Sequence, residues 1–277
     1  MEIEMTDIVA FGEILWDIID GVPHLGGAPF NFAAHVVKCG LTSSLISSVG
    51  NDDLGRQAKD RMSALGVEGS CVTVHPTLPT GTVNVTLSNG IPSYEIVQPV
   101  AWDEICVEVS ALSVPRAFYF GTLAQRSPIS SKTLATVLDA FSSSLIFFDV
   151  NLRQNFWSKR IIEDCLARTD ILKVNDEERA RLNFSPESLF ANYPRLQAVV
   201  ETRGAEGCVV FCRGKEPIVS PAVPDGRVID TVGAGDAFSA AFMSAWLKGA
   251  TPEAAARAGN VLGGKIAARA GAIPEDL

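Results

Sequence analysis

The chain of 277 residues lacks any long hydrophobic run. No apolar stretch approaches the roughly 20 residues that cross a bilayer, so no membrane role is expected. Its first segment, MEIEMTDIVAFGE, is acidic where a secretory signal is basic, and a cytoplasmic protein is expected. Histidine is scarce, with three residues and no HExxH-like spacing, and the six cysteines (Cys39, Cys71, Cys106, Cys165, Cys208, Cys212) contain no CxxC pair. That excludes a zinc site or a disulfide framework and leaves reduced thiols packed in or near the core. Cationic residues are outnumbered, 23 Lys and Arg against 32 Asp and Glu, for a net charge of −9. A nucleic-acid partner needs a basic footprint and is not expected. A phosphorylated ligand would have to be held mainly by backbone N–H groups and a metal. GxxxxGK[ST] is absent, and no full GxGxxG follows the first apolar segment, which removes the P-loop and the dinucleotide fingerprint.

What is present is a 47% hydrophobic chain, enough for a sizeable core. Short β-rich runs occupy 7–15, 43–50, 117–121, 145–151, 170–175 and 197–202, with stretches of helical period between most of them. In 54–65 a shared face of Leu54, Ala58, Met62 and Leu65 predicts a helix with Asp53 as N-cap and Gly66 beyond its end. Pro29 starts a helix over 29–39 that stops at Gly40, and Thr251-Pro252-Glu253 starts a last one. Alternating strands and helices predict one α/β domain over 1–277 with a mainly parallel central sheet. Two regions break the alternation, 16–28 and 70–100. The second has period-two stretches around Thr82–Leu87 and a turn signal at Ser88-Asn89-Gly90. Such a meander is an edge hairpin, a lid or a dimer surface. Both interruptions leave from one end of the sheet, which favours a lid.

The string DTVGAGDAFSAAF, Asp230 to Phe242, poses the chemical question. Gly233-Ala234-Gly235 before an apolar helix can present unpaired N–H groups and a positive dipole end to an anion. Asp236 then stands at the mouth of an anion site. Taken alone, the fragment reads as a helix-capping acid as readily as a catalytic one. The acid gains a purpose if a hydroxyl lies between it and a phosphate: Asp236 accepts the alcohol proton while the amides hold the moving phosphoryl oxygens.

DTVGAGDAF resembles the C-terminal signature of the ribokinase-like (PfkB) carbohydrate kinases. GGAPFNFA (26–33), VGNDDLG (49–55), DVNLRQNFW (149–157), KVNDEE (173–178) and ETRGAEG (201–207) resemble further elements of that family, in the family's order and over nearly the whole chain. The resemblance implies a ribokinase-like three-layer sandwich with a small β lid from about 16–28 and 70–100, and a homodimer through that lid. It implies Asp236 as catalytic base with an anion hole at Gly233, Ala234 and Gly235. Asp17, Gly26, Gly27 and Asn31 match the sugar-binding residues, and Arg153 an Arg near the transferred phosphate or the substrate. Asn175 and Glu178 match residues that place Mg²⁺ and the phosphates, Glu178 through water. Thr202, Gly204, Gly207 and Asn260 fall on the ATP side, with Arg203 where the family usually has an apolar residue. Asp230 and the carbonyls near Val232 fall where some relatives bind K⁺.

The residues also admit plainer roles: Glu178 as a helix-start acid, Arg153 as a surface partner of Glu163 or Asp164, Asp17 as a surface residue of a lid strand. The lid segment 70–100 holds neither Lys nor Arg, which weighs against a phosphosugar and, less strongly, against the carboxylate of ketodeoxygluconate. Trp16, Tyr94 and Trp102 could stack a nucleoside base or serve as core or dimer contacts. DVNLRQNFW resembles the fructokinase and ketodeoxygluconate branch more than the ribokinases, and GGAPFNFA resembles fructokinases. The expectation is therefore ATP-dependent phosphorylation of a ketohexose, fructose first, at its terminal primary hydroxyl. The alternatives are ketodeoxygluconate, ribose or a nucleoside as acceptor, a silent sugar- or nucleotide-binding regulator, and a dinucleotide-dependent oxidoreductase.

Overall fold

The computed structural model describes residues 6–88 and 91–275. In chain order the elements are β1 (Ile8–Phe11), β2 (Leu15–Ile19), β3 (Val22–Gly26), α1 (Ala28–Lys38), β4 (Ser43–Gly50), α2 (Asp53–Ala64), β5 (Val72–His75), β6 (Gly81–Ser88), β7 (Ile91–Ile96), β8 (Ala117–Phe120), α3 (Pro128–Ala140), β9 (Leu145–Asp149), α4 (Lys159–Leu166), β10 (Ile171–Asn175), α5 (Asp176–Leu182), α6 (Pro186–Asn192), β11 (Ala198–Thr202), β12 (Cys208–Cys212), β13 (Ile218–Ser220), α7 (Ala234–Leu247) and α8 (Pro252–Ala267).

Among the described residues, nine strands form one sheet in the order β13-β12-β11-β10-β9-β8-β1-β4-β5. Every pairing from β11 to β5 is parallel; β12 and β13 extend the sheet antiparallel. Alternate side chains of each strand feed two cores, as the period of two requires. Ile8, Ala10, Tyr119, Phe147 and Ile171 pack with α1, α2, α7 and α8 on one face. Val9, Phe11, Phe118, Phe120, Phe148 and Leu172 pack with α3, α4 and α6 on the other. The expected three-layer α/β sandwich is what forms. No helix among the described residues is long and apolar enough to cross a membrane, and all six cysteines are free.

The two interruptions meet in a second, four-stranded sheet, β3-β2-β6-β7. β2 runs parallel to β6, while its partner β3 and the β6–β7 hairpin are antiparallel. Residues 89 and 90 of the expected turn lie outside the described residues. The expected lid region is trimmed at its start, because β5 pairs with β4 at the edge of the large sheet. The expected strand 7–15 is broken after Phe11: β1 ends there and the chain crosses into the small sheet at Leu15.

The N-cap of α2 is Asp52 and not Asp53. Asp52 accepts from Gly55 N–H at 2.8 Å, and also from Thr80 N–H at 2.8 Å and Thr80 Oγ1 at 2.6 Å, so a distant segment decides between two adjacent acids. Trp102 belongs to the core: it is 1% exposed, and Arg126, ion-paired to Asp103 at 2.7 Å, lies over its ring.

Candidate active site

Parallel sheets bind ligands beyond the carboxyl ends of their strands, and the site residues collect there. β9 ends at Asp149, β10 at Asn175 and β11 at Thr202. α7 starts above them. Its N-cap, Gly233, has φ +75°, and a Cβ there would lie 2.6 Å from the Ala272 Cβ, so only glycine fits this turn. Of the three amides expected to form an anion hole, that of Ala234 donates to Thr231 carbonyl at 3.2 Å. Gly235 and Asp236 occupy first-turn positions, whose N–H groups have no carbonyl one turn back.

Asp236 does not cap α7; no side chain does. Its carboxylate instead accepts a 2.9 Å hydrogen bond from Asn31 Nδ2, across 205 residues of sequence, where α1 packs on α7. Burial pushes the Asp236 pKa up to about 6; the Asn31 bond opposes this, the Asp149 charge adds to it, and Lys173 and Arg153 oppose it. A group poised near neutrality is a usable proton acceptor.

Beneath the turn lies a buried ion pair that sequence reasoning left without a role. Lys173 Nζ contacts both Asp149 carboxylate oxygens, at 3.0 and 3.1 Å, and lies 3.4 Å from where a Gly235 Cβ would be. Asp149 also accepts from Tyr119 OH at 3.2 Å and Ser239 Oγ at 2.9 Å. Desolvation favours a neutral Lys173, but the charges of Asp149, Glu178 and Asp236 and the hydrogen bond to Asp149 together outweigh it and hold the ammonium above its ordinary range. A fixed positive charge thus sits against the α7 start. The sequence signal was an acid closing one apolar strand and a lysine in the middle of the next.

Of the residues expected to bind the sugar, Asp17 lies on β2 and its carboxyl is raised by burial, opposed by Arg153 and His24. A Cβ on Gly26 would stand 3.0 Å from the Asp17 carboxylate, so Gly26 leaves this acid its space. Gly27, with φ +109°, is the N-cap of α1, and a Cβ there would reach the Glu13 carbonyl oxygen at 2.5 Å. Asn31 is buried, and while its amide nitrogen serves Asp236 its Oδ1 has no partner in the protein. Glu13, missed from the sequence, is buried, and its pKa is raised to about 7 by desolvation.

Arg153 is exposed in the loop after β9, and its positive charge lowers the pKa of Glu13, Asp17 and Asp236 alike. Its suggested surface partners are engaged elsewhere, Glu163 with Lys159 at 3.6 Å and Asp164 with Arg160 at 3.7 Å. Glu178 forms a capping box with Asn175: its carboxylate accepts Asn175 N–H at 2.9 Å, while Asn175 Oδ1 accepts Glu178 N–H at 2.7 Å. The other Glu178 oxygen accepts Leu152 N–H at 2.8 Å, which anchors the Arg153 loop. Gln154 Nε2, from that loop, donates to Tyr94 carbonyl at 2.8 Å and ties it to β7.

Of the residues expected on the ATP side, Thr202 pairs in register with Asn175. Gly207 abuts the Ser220 carbonyl, and Asn260 Nδ2 donates to Ser220 O at 3.0 Å and Pro221 O at 3.1 Å. Asn260 therefore fastens α8 to the segment under Gly207. Gly204 stands in open space at φ +49°. Arg203 is paired with Glu201 at 2.7 Å, and Arg179 holds the other oxygen of that carboxylate. Asp230 accepts Val232 N–H at 3.0 Å and Gly271 N–H at 3.1 Å, joining the two loops that flank the α7 turn.

An acid held beside an unpaired helix start, over a buried cation, is the geometry of a phosphotransferase acting on an alcohol. The pattern of the pfkB family carbohydrate kinases matches residues 5–276, and the chain belongs to that family. An uncharacterized sugar kinase of Pyrococcus horikoshii is 30% identical over 262 residues, 87% of this chain and 83% of that one. The crystal structure of that kinase in complex with ATP superposes with a TM-score of 0.83 over 96% of this chain and 93% of that one. An ATP-dependent 6-phosphofructokinase of Thermoanaerobacterium thermosaccharolyticum is 27% identical over 272 residues (88% and 83% of the two chains). Fructokinase-2 of Oryza sativa is 26% identical over 262 residues (83% and 77%). The chain is an ATP-dependent carbohydrate kinase.

Proposed function

We propose that this kinase transfers the γ-phosphoryl group of ATP to the terminal primary hydroxyl of a neutral ketohexose, with fructose as the lead substrate. The observation that carries this reading is Asp236, bonded to Asn31 at 2.9 Å at the start of α7, with Lys173 behind the same turn. Asp236 takes the hydroxyl proton as the O–P bond forms. The free amides of the α7 start and the Lys173 ammonium stabilise the transferred phosphoryl oxygens, and positioning supplies most of the remaining catalysis. Asp17, in the space left by Gly26, accepts sugar hydroxyl hydrogens, and the uncommitted Asn31 Oδ1 can accept another. Arg153 balances the three acids.

Mg²⁺ neutralises phosphate charge when it arrives with ATP. Glu178 already uses both oxygens on backbone N–H groups, and among the described residues no cluster of three His, Cys, Asp or Glu could hold a metal ion. That donor set suits a hydrated ion contacted through water by Asn175 and Glu178, not a protein cage. Thr202, Gly204, Gly207 and Asn260 shape the ATP side, and a K⁺ site would adjoin Asp230. Dimerisation through the β2–β3–β6–β7 sheet and a cytoplasmic location, in keeping with six free thiols, complete the proposal.

A neutral sugar is favoured because Asp17, Glu13 and Asp236 face one exposed cation, Arg153, while 70–100 adds no Lys or Arg. A second phosphate would meet more negative charge than positive. The test is an ADP-release screen with MgATP against fructose, ribose, ketodeoxygluconate, adenosine and fructose 6-phosphate. Turnover on fructose above the others is expected. Preference for fructose 6-phosphate would overturn the charge argument, and silence on all five with ATP bound would favour a regulator.

A further inference from the structure

His35 lies on α1 one turn after Asn31, and its imidazole is 0% exposed. At this spacing the two side chains share a helix face. Asn31 reaches Asp236 on α7 at 2.9 Å. His35 Nε2 lies 2.8 Å from the carbonyl oxygen of Ala272, in the segment that follows α8. A carbonyl only accepts, so Nε2 carries the proton, and the buried Nδ1 has no partner in the protein. Burial pushes the imidazole pKa down to about 4, opposed by the Ala272 bond and aided by Lys38. The ring is therefore neutral near neutral pH, with its one N–H committed to Ala272.

The carbonyl that His35 holds stands against the α7 turn. A Cβ on Gly233 would lie 3.0 Å from this same oxygen, 2.7 Å from the Ala272 Cα and 2.6 Å from its Cβ, so the N-cap of α7 is seated directly on Ala272. The segment is tied down on both sides of that seat. Gly271 N–H donates to Asp230 at 3.1 Å, and the other oxygen of Asp230 accepts Val232 N–H at 3.0 Å, one residue before Gly233. Beyond the seat, Lys38 on α1 donates to the Pro274 carbonyl, and Glu275 pairs with Arg61 on α2 at 3.0 Å. One face of α1 thus reaches both parts of the α7 start: the acid through Asn31, and the turn through His35 and Ala272.

We propose that His35 is a positioning residue of the phosphoryl-transfer site: its bond to the Ala272 carbonyl seats the Gly233 turn, so that the first α7 amides stand open beside Asp236. This rests on the α7 start being where the transferred phosphoryl group binds. His35→Leu fills similar space without a donor and strands the Ala272 carbonyl. With MgATP and the best acceptor of the sugar panel, its kcat falls by about tenfold or more, because small displacements of positioned donors are costly in the transition state. The KM of the sugar stays within about twofold. MgADP with aluminium fluoride and the sugar mimics the phosphoryl group in flight; this complex weakens by the same factor as kcat, while MgADP alone binds as to the wild type. His35→Gln, whose amide N–H reaches about where Nε2 stands, recovers most of both. A folded His35→Leu with wild-type kcat overturns the proposal. So does a loss of kcat with the fluoride complex bound as tightly as before, the mark of a merely structural residue.

A second comparison decides the matter even if His35→Leu does not fold. His35→Asn keeps a polar amide but is one methylene too short to reach Ala272, so its kcat and its affinity for the fluoride complex should both fall well below those of His35→Gln. Equal values in the two variants overturn the proposal. Failure of the wild-type protein to bind the fluoride complex would instead strike the anion site on which the proposal rests, a failure that shows without any His35 variant.

Discussion

Asp236→Asn should cost almost all turnover and yet give a more stable protein. Asn keeps the side-chain oxygen that accepts from Asn31 Nδ2 and nearly the same volume, so the α1–α7 contact survives. What is lost is the proton acceptor, and removal of a positioned general base typically costs about 10²–10⁴ in rate. The stability gain follows from the raised pKa. In the native protein Asp236 titrates at about 6 against an ordinary 3.8, so the folded state holds the proton more tightly than the unfolded chain. That contribution is complete below pH 3.8 and is lost as pH rises through 6, where the carboxylate must ionise in its half-buried setting. Two pKa units correspond to about 3 kcal/mol, reduced to about 2 by the partial exposure of the group. For a chain of this size, that raises Tm by about 4–8 °C at pH 8. At pH 4.5 most of the difference should vanish. The assay is thermal unfolding of both proteins at the two pH values, beside turnover with MgATP. A variant retaining a tenth of the wild-type rate, or a Tm difference independent of pH, would refute the reasoning.

Three further outcomes come from the same geometry. Asp17→Ala should raise the KM of the sugar by tenfold or more and leave that of ATP within twofold; equal effects on both would remove Asp17 from the sugar site. Arg153→Gln takes away the cation that lowers the pKa of Glu13, Asp17 and Asp236, so the acid limb of kcat/KM should move to higher pH, and an unmoved limb would place Arg153 outside their field. Lys173→Met strands the buried Asp149 carboxylate without its 3.0 Å partner, at a cost of about 3–5 kcal/mol. Chemical denaturation reads that cost, Lys173→Met with Asp149→Asn should recover part of it, and a fully stable single variant would contradict the pair's structural weight.

Local chemistry made much of the fold legible. The strand at 43–50, the Pro29 and Thr251-Pro252 helix starts and the Gly66 stop all form as their residue types require. What was illegible is what distant segments decide. Thr80 chooses Asp52 over Asp53, and β4 draws 72–75 out of the expected lid. In the site, the family-like strings marked Asp236, Asn31 and Asp17, but spacing along the chain could not reveal the Asn31–Asp236 bond. Glu13 escaped notice because the charges that act on it, those of Asp236 and Arg153, reach it only through the fold. Glu178 and Asn260 are alike in this: the family-like resemblance marked both, while their hydrogen bonds to Leu152, Ser220 and Pro221 were not legible.

The measurement that bears most directly on the account is ³¹P NMR of the wild-type protein with MgATP and fructose. The γ-phosphate signal should decline as a phosphomonoester appears that couples to the protons of the sugar's terminal primary carbon, and Asp236→Asn should leave both signals unchanged. Decline of the γ-phosphate into inorganic phosphate alone, or monoester formation at the wild-type rate in Asp236→Asn, would contradict it.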